Sequence, residues 1–342
     1  MCSTMVTVDL SPSRSPGPNL SSPVSASPCA RLILAPIRGV TDAVYREAFA
    51  RCFGGFDEAV APFLQLRQEH SLRPAELGQV ALDRNRALPV VPQVLTHHAP
   101  TFSAALRELG EAGHVEVNWN LGCPYPTVAG RGRGAGLLPH AERVEAILAE
   151  VMKAAPVRVS VKMRLGYHDP DEFLAIMDVL NRYPLAVVIL HARTADQMYD
   201  GAVDVDRAGQ ALALCRHPFV FNGDIASVEG FRDMAGRLPG TAAWMIGRGA
   251  LRNPFLPALI KGLPPLSPEA RRTQLIKFHG LLFEGYGQVL SGARHQRDKM
   301  MEQWEYLSHS FADSQSVLSR IRRSHPGHYR AVVDWVFGQA LA

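Results

Sequence analysis

The chain has 342 residues, and 47% of them are hydrophobic, so it can bury one large core or a core with a small second domain. This composition excludes a chain that is disordered throughout. Lys and Arg number 36 against 32 Asp and Glu, and the resulting net charge of +4 permits an acidic partner without requiring one.

The first predicted element is a leader over residues 1–30, in which 13 residues are Ser or Pro. It cannot bury enough apolar surface to offset the entropy of ordering. We therefore expect either that it is disordered or that translation starts at a later residue. It lacks a secretory signal, and no apolar run approaches the roughly 18 residues of a membrane span. Five scattered cysteines without CxxC spacing indicate neither disulfides nor a zinc site. We therefore expect a cytoplasmic protein without membrane segment or metal.

Beyond residue 30, short apolar or β-branched runs alternate with longer amphipathic stretches such as 99–113 and 138–155, which is typical of strand–helix units. Eight such units within 31–262 predict an α/β fold, a (β/α)8 TIM barrel, with a doubly wound sheet as the alternative. The predicted strands are residues 31–37, 57–63, 88–95, 114–120, 157–163, 185–191, 217–223 and 241–247.

Polar or glycine-rich residues lie at the C-terminal ends of six of these strands. In a TIM barrel the strand ends converge on one face, where the active site forms. One lysine at such an end is usually only solvated, but six coincidences on one rim favour a functional site. The residues are Gln93, Asn118, Asn120, Lys162, Arg164, His191, Arg193, Asn222–Asp224, Gly247 and Arg248.

The segments after the last two strands, FNGDI (221–225) and MIGRGAL (245–251), predict a phosphate site. Loops at this place commonly bind phosphate through free backbone N–H groups. Gly223, Gly247 and Gly249 allow close backbone approach, and Arg248 adds a positive charge. No GxGxxG follows the first strand, so a Rossmann dinucleotide site is not indicated.

Six segments resemble, in the same order, the motifs of the tRNA-dihydrouridine synthases. A seventh, QWEYL (303–307), resembles the C-type branch, which reduces uridine 16 of tRNA. The resemblance implies an FMN-binding barrel over 31–262 and a small all-helical tRNA-binding domain over 263–342. The six segments are APIRGVTDAVYR (35–46), NLGCPYPTVAGRGRGAGLL (120–138), VKMRLGY (161–167), HARTADQMYDG (191–201), NGDI (222–225) and IGRGAL (246–251).

The resemblance makes Cys123 the predicted catalytic residue. It implies hydride transfer from N5 of reduced FMN to C6 of uracil, with Cys123 donating a proton to C5 from the other face. A free thiol has a pKa of about 8.5, so it is mostly protonated at neutral pH. We expect the glycines in 130–136 to let this segment fold over the substrate.

The remaining roles also follow from the resemblance. NADPH or NADH would reduce the FMN, and the protein is expected to be a monomer that binds tRNA. Asn120 would contact the target uracil. The predicted tRNA or substrate contacts are Arg193 and Tyr199 and, from the basic residues of the tail and not from the resemblance, Arg297 and Lys299. The predicted FMN contacts are Pro36, Ile37, Arg38, Gln93, Lys162, His191, Asn222, Gly223, Asp224, Gly247 and Arg248.

The chain also departs from the family pattern. Tyr125 and Pro126 stand where relatives often carry Ser-Lys, and Ile37 replaces the usual Met. Two other functions stay open: a flavin barrel that reduces free pyrimidines or enones, and a non-catalytic tRNA-binding protein. The first would not need the mildly basic tail, where residues 266–342 hold ten Lys or Arg against seven Asp or Glu. The second would not need Cys123 and Lys162.

Overall fold

The computed structural model describes residues 30–64, 66 and 72–342, so residues 1–29 of the predicted leader lie outside the described part of the chain. Nine short strands occur within it, and each paired neighbour runs parallel. The strands are β1 (Leu32–Leu34), β2 (Glu58–Val60), β3 (Val90–Val91), β4 (Gln93–Val94), β5 (Glu116–Leu121), β6 (Arg158–Arg164), β7 (Val188–His191), β8 (Phe219–Asn222) and β9 (Ala243–Ile246).

The strands close into a barrel, because the two ends of the sheet order, β3 and β4, are successive pieces of one predicted strand, 88–95. β3 pairs with β2, and β4 pairs with β5. Pro92 separates the two pieces because it has no N–H for the ladder, yet its carbonyl accepts the N–H of Asn118 at 2.8 Å. The predicted TIM barrel is therefore confirmed, with its third strand divided in two.

Helices surround the barrel and bury their apolar sides against the strands. They are α1 (Ala43–Cys52), α2 (Pro74–Val80), α3 (Ala99–Glu111), α4 (Pro126–Ala129), α5 (Ala141–Val151), α6 (Phe173–Leu180), α7 (Val205–Leu214), α8 (Val228–Arg237), α9 (Arg248–Arg252) and α10 (Leu256–Ile260). Side-chain oxygens of Asp42, Asp204 and Ser227 cap the N-termini of α1, α7 and α8.

The inside of the barrel has an apolar half and a polar half. The apolar half is a cluster of alternate residues from β1, β2 and β7–β9: Ile33, Ala35, Val60, Ile189, Val220, Ala243 and Met245. On β4–β6 the inward side chains are polar instead. Gln93 donates to Asn118 at 2.8 Å, and Asn118 donates to Ser160 at 3.0 Å. These hydrogen bonds let amides lie in the barrel at low cost, directly below the strand ends.

The C-terminal region continues the fold with α11 (Pro268–Val289), α12 (Ala293–Leu307), α13 (Ser314–Arg322) and α14 (Tyr329–Phe337). Apart from one antiparallel bridge, between Phe311 and Leu341, its regular structure is helical, which confirms the predicted fold class. Phe278 of α11 packs edge-on against Tyr45 of α1, with ring centroids 5.5 Å apart. In the part of the chain that the structure describes, no helix combines the length and apolarity needed to cross a membrane.

Candidate active site

A cavity of about 340 Å³ opens at the C-terminal ends of the strands. This volume lies within the range of small-molecule sites. Fourteen of the seventeen predicted site residues line the cavity, and Arg193, Arg297 and Lys299 do not. The fourteen are Pro36, Ile37, Arg38, Gln93, Asn120, Cys123, Lys162, His191, Tyr199, Asn222, Gly223, Asp224, Gly247 and Arg248.

Cys123 is held at the wall of this cavity by the end of β5. The side-chain oxygen of Asn120 accepts the N–H groups of Gly122 at 3.0 Å and of Cys123 at 2.9 Å. The side-chain amide of Asn120 donates to Gln93 at 2.8 Å, which links the loop to the buried amides below. Asn120 therefore orients the cysteine loop. Its predicted contact with uracil stays a prediction, in which the second amide hydrogen would take part.

The glycine-rich segment supports Cys123 from behind instead of covering the cavity as an open flap. Gly134 has a φ of 57°, and a Cβ at this position would lie 2.9 Å from the Cβ of Cys123. A Cβ on Gly136 would lie 2.2 Å from the carbonyl oxygen of Ala129. Ala135 donates its N–H to the carbonyl of Cys123 at 3.1 Å. In this structure, these glycines permit close packing, which differs from the expected fold over the substrate.

Arg164 is a structural element of the site that the predicted set of contacts omitted. Its buried guanidinium donates to the carbonyls of Gly122 at 3.0 Å and Thr194 at 2.7 Å. It thereby joins the cysteine loop to the loop after β7. The sequence carried a signal for it, because Arg164 follows Lys162 by two residues on β6, and the strand period places both on one face.

The electrostatics of the cavity favour a neutral thiol and an anionic ligand. Burial raises the pKa of Cys123 above that of a free thiol, which keeps the proton on sulfur at neutral pH. Burial and the nearby Arg164 lower the pKa of Lys162 to about 7. Among the described residues, the Lys162 ammonium has no hydrogen-bond or ion-pair partner. The lining contains four arginines besides this lysine, and Asp224 is its one carboxylate.

His191 is neutral in this setting. Burial and the surrounding positive charges, with Arg164 the largest among them, lower its pKa well below the usual value. Its Nε2 lies 3.2 Å from Nη1 of Arg193, and an arginine can only donate. Nε2 therefore accepts, and the proton of the imidazole is on Nδ1.

The loops after β7, β8 and β9 meet around Tyr199 and Asp224. Arg248 lies over the ring of Tyr199 at 4.8 Å from its centroid, and Arg164 lies over it at 5.3 Å. Nη2 of Arg248 is 3.4 Å from Asp224, whose φ of 32° is unusual for a residue other than glycine. The predicted phosphate site thus contains one guanidinium that is only partly neutralised by a carboxylate.

Arg193 differs from its predicted role as a direct tRNA or substrate contact. Only 2% of it is exposed, and it donates to the carbonyls of Gly201 at 2.6 Å and Asp200 at 3.2 Å. It also pairs with Asp224. A side chain so enclosed orients the loops that hold His191 and Asp224, and it does not present its charge to a macromolecule.

Lys299 of α12, a predicted tRNA contact, binds the barrel. Its ammonium lies 3.2 Å from the carboxylate of Asp42 and 3.0 Å from that of Glu302, and it donates to the carbonyl of Gly39. Only 18% of the side chain is exposed. The loop that Lys299 contacts, 36–42, is the one that lines the cavity with Ile37 and Arg38.

Arg297, on the same helix, is also largely committed to protein contacts. Its Nη2 donates to the carbonyl of Arg322 at the C-terminus of α13 at 3.3 Å, and its Nη1 lies 3.3 Å from Asp298. A cation at a helix C-terminus is favourable, so this position has a structural explanation. Both side chains have protein partners, and the tRNA contacts predicted for Lys299 and Arg297 stay predictions.

Comparison with known proteins decides the family. The sequence profile described as dihydrouridine synthase (Dus) matches residues 33–317. The chain belongs to the dihydrouridine synthase family. As a dihydrouridine synthase it is an oxidoreductase, and because the family is flavin-dependent, the cavity at the strand ends is its candidate flavin site.

Two relatives of this dihydrouridine synthase extend over most of its length. It is 30% identical to tRNA-dihydrouridine(16) synthase of Cupriavidus necator over 305 residues, 86% of this chain and 92% of the relative. It is 29% identical to the protein of the same name from Escherichia coli K12, over 85% of this chain and 93% of the relative. Morphinone reductase has a similar fold, with a TM-score of 0.50 at 12% identity, covering 70% of this chain and 87% of that one.

Proposed function

We propose that this dihydrouridine synthase reduces uridine 16 of tRNA to 5,6-dihydrouridine with FMN as its flavin and NADPH or NADH as the reductant. Cys123 is the proton donor. The relatives from Cupriavidus necator and Escherichia coli, whose names specify position 16, support the choice of uridine. The observation that carries the proposal is a protonated thiol fixed at the wall of a cationic cavity at the mouth of the barrel.

The residues of the cavity fit FMN. A flavin phosphate finds a positive charge in Arg248, beside the backbone of Gly247, where a Cβ would lie only 3.3 Å from Ala35. The Lys162 ammonium, which has no acceptor of its own among the described residues, and the amide hydrogen of Gln93 that is not donated to Asn118 would hold the isoalloxazine ring. When bound, reduced FMN supplies the hydride that uracil C6 receives.

The protein's own part in the reaction is to hold and deliver a proton. Asn120 and Arg164 fix the Gly122–Cys123 peptide before the thiol, and the N–H of Ala135 fixes the Cys123 carbonyl after it, so that the sulfur need not be ordered when uracil enters. The raised pKa of Cys123 keeps the proton available at neutral pH, and general acid catalysis then transfers it to C5. His191 stays neutral and leaves the nearby cations to attract the anionic cofactor.

The test is to incubate the flavin-loaded protein with unmodified tRNA and NADPH or NADH, then quantify dihydrouridine by nucleoside mass spectrometry. A tRNA in which only uridine 16 is replaced by cytidine serves as the matched control. Dihydrouridine should form in the first tRNA and not in the second. Equal formation in both would assign the reaction to another uridine, and reduction of free uridine at the same rate would favour a small-molecule reductase.

A further inference from the structure

We propose that Arg131, Arg133 and Arg143 form an RNA-binding surface on the barrel, which holds phosphates of the substrate beside Cys123. We call these three residues the basic rim. The proposal rests on the proposed function, since it takes tRNA as the polyanion that enters the cavity. It goes further by assigning backbone contacts to the barrel itself, on the side formed by α4 and α5.

The segment that carries Arg131 and Arg133 is fixed against the cysteine loop. Arg133 immediately precedes Gly134, whose Cα is so close to Cys123 that a Cβ there would lie 2.9 Å from the Cβ of Cys123. Ala135 donates its N–H to the carbonyl of Cys123 at 3.1 Å. Arg133 is therefore adjacent in the chain to the glycine that packs against Cys123, the proposed acid.

Arg143 brings a third charge to the same place from α5. A Cβ on Gly132, which lies between Arg131 and Arg133 at a φ of 65°, would be 3.4 Å from Nη1 of Arg143. His97, on the loop after β4, lies close enough to Arg133 and Arg143 to be affected by their charges. Burial and the charges of Arg133 and Arg143 lower its pKa. Arg133, Arg143 and His97, from three segments, thus lie near one another, and Arg131 precedes Arg133 by two residues.

The basic rim has no partner within the part of the chain that the structure describes. None of its three arginines forms an ion pair there, and Arg131 and Arg143 are exposed. Glu142, at the edge of the group, lies 3.7 Å from His140. By contrast, Lys299 and Arg322 in the tail already pair with carboxylates. Like charges gathered without counter-ions are unfavourable, and binding a polyanion relieves this repulsion.

The position of the rim selects nucleic-acid phosphates as that polyanion. A uridine whose base enters the cavity must leave its stack, which costs a few kcal/mol. Its own flanking phosphates are then carried to the edge of the cavity. Arginines bind phosphate oxygens through two parallel donors, and these contacts offset the cost of unstacking. An acidic protein partner would not need a surface continuous with the Cys123 loop.

The experiment compares two flavin-loaded variants with the same loss of three charges. The test variant is R131Q/R133Q/R143Q. The control is R84Q/R86Q/R216Q, whose exposed arginines precede β3 and β8 and therefore lie at the opposite end of the barrel. Binding of an unmodified tRNA transcript is measured over a range of salt concentrations, with flavin absorbance and thermal unfolding recorded for each protein. Dihydrouridine formation is measured in parallel.

The test variant should bind tRNA more weakly and lower the slope of log K against log salt by about 2 to 3, since each lost phosphate contact contributes about 0.7–0.9. Its flavin content should match that of wild type, and the control should keep the wild-type slope. An unchanged slope in the test variant, or an equal loss in both variants, would overturn the basic rim. If wild type binds tRNA through the basic rim but forms no dihydrouridine, the proposed function is wrong and the basic rim is still supported as an RNA-binding surface. A wild-type protein that binds no tRNA would overturn both.

Discussion

The mouth of the barrel and the face of α12 that touches the barrel are both rich in basic residues, but they use them differently. At the mouth, the Lys162 ammonium has no acceptor among the described residues, and Arg248 is only partly neutralised, by Asp224 at 3.4 Å. On α12, Lys299 contacts Asp42, Glu302 and the carbonyl of Gly39. Positive charge is available for a ligand in the first region and stabilises the protein itself in the second.

The difference shows that a basic segment is not by itself a nucleic-acid surface. Near Lys299, Gln303 of α12 donates to the carbonyl of Val40 at 3.2 Å, and Tyr286 of α11 donates to Asp42 at 3.1 Å. These bonds connect the tail to the loop that carries Ile37 and Arg38 into the cavity. The tail therefore supports a loop of the candidate flavin site, a role that net charge alone could not reveal.

Removal of the thiol should have the largest effect. Cys123→Ala takes away the proton donor and leaves the lining of the flavin site in place, so dihydrouridine formation should fall by about 10²–10⁴ with flavin content unchanged. Mass spectrometry of tRNA nucleosides and the flavin spectrum measure the two quantities. Cys215→Ala is the matched control, because Cys215 lies before β8, away from the cavity. Wild-type turnover in the Cys123 variant would remove it as the acid.

Arg248→Ala should have the next largest effect, on cofactor affinity. Hydrogen bonds to charged groups contribute about 1.5–3 kcal/mol each, so the loss of the guanidinium should weaken FMN binding by about 10- to 100-fold. The dissociation constant can be measured by quenching of flavin fluorescence. Arg232→Ala, on the exposed side of α8, is the control. Equal affinity in the two variants would place the phosphate elsewhere.

A pH effect on flavin binding should follow from Lys162, whose pKa is about 7 in the ligand-free cavity. A bound anion or acceptor favours the charged form and raises this pKa, so binding above pH 7 takes up a proton and weakens as pH rises. FMN affinity should fall by up to about fivefold from pH 7 to pH 8. Below pH 6 Lys162 is already charged, so its titration should no longer change the affinity.

Calorimetry in buffers of different ionisation enthalpy tests this proton uptake directly. At pH 8 close to one proton should be bound with each FMN. In Lys162→Met the uptake assigned to this side chain should disappear. If the methionine variant takes up the same number of protons as wild type, another group accounts for the linkage.

The smallest effect should come from the joint between the tail and the barrel. Lys299→Ala removes three contacts to the loop 36–42 and α12. We expect FMN affinity, measured at a temperature well below that of unfolding, to fall about two- to fivefold. Arg294→Ala is the control, because Arg294 lies on the same helix and 85% of its side chain is exposed. Unchanged flavin affinity together with a lower slope of tRNA binding against salt would instead support Lys299 as a tRNA contact.

The barrel and most of the residues that line the cavity could be predicted from the amino-acid sequence. Alternating strands and helices specify a parallel sheet, and the C-terminal ends of its strands meet on one face. Residues such as Gln93, Lys162 and Arg248 could therefore be placed together without coordinates. The family motif singles out Cys123, which lines the same cavity. Such residues can be predicted because the alternation of side chains along a strand is a local property, which is the same in the sequence pattern and in the folded sheet.

Which polar side chains are open to a ligand could not be predicted without the folded structure. Arg193 and Lys299 look as available in the sequence as Arg248, but packing encloses the first and joins the second to Asp42. Likewise, the glycines at 134 and 136 read as a flexible loop, although they permit contact with Cys123 and Ala129. Such contacts join residues far apart in the chain or depend on distances below 3 Å. The partner of a charge is therefore a property of the folded chain, which neither composition nor spacing encodes.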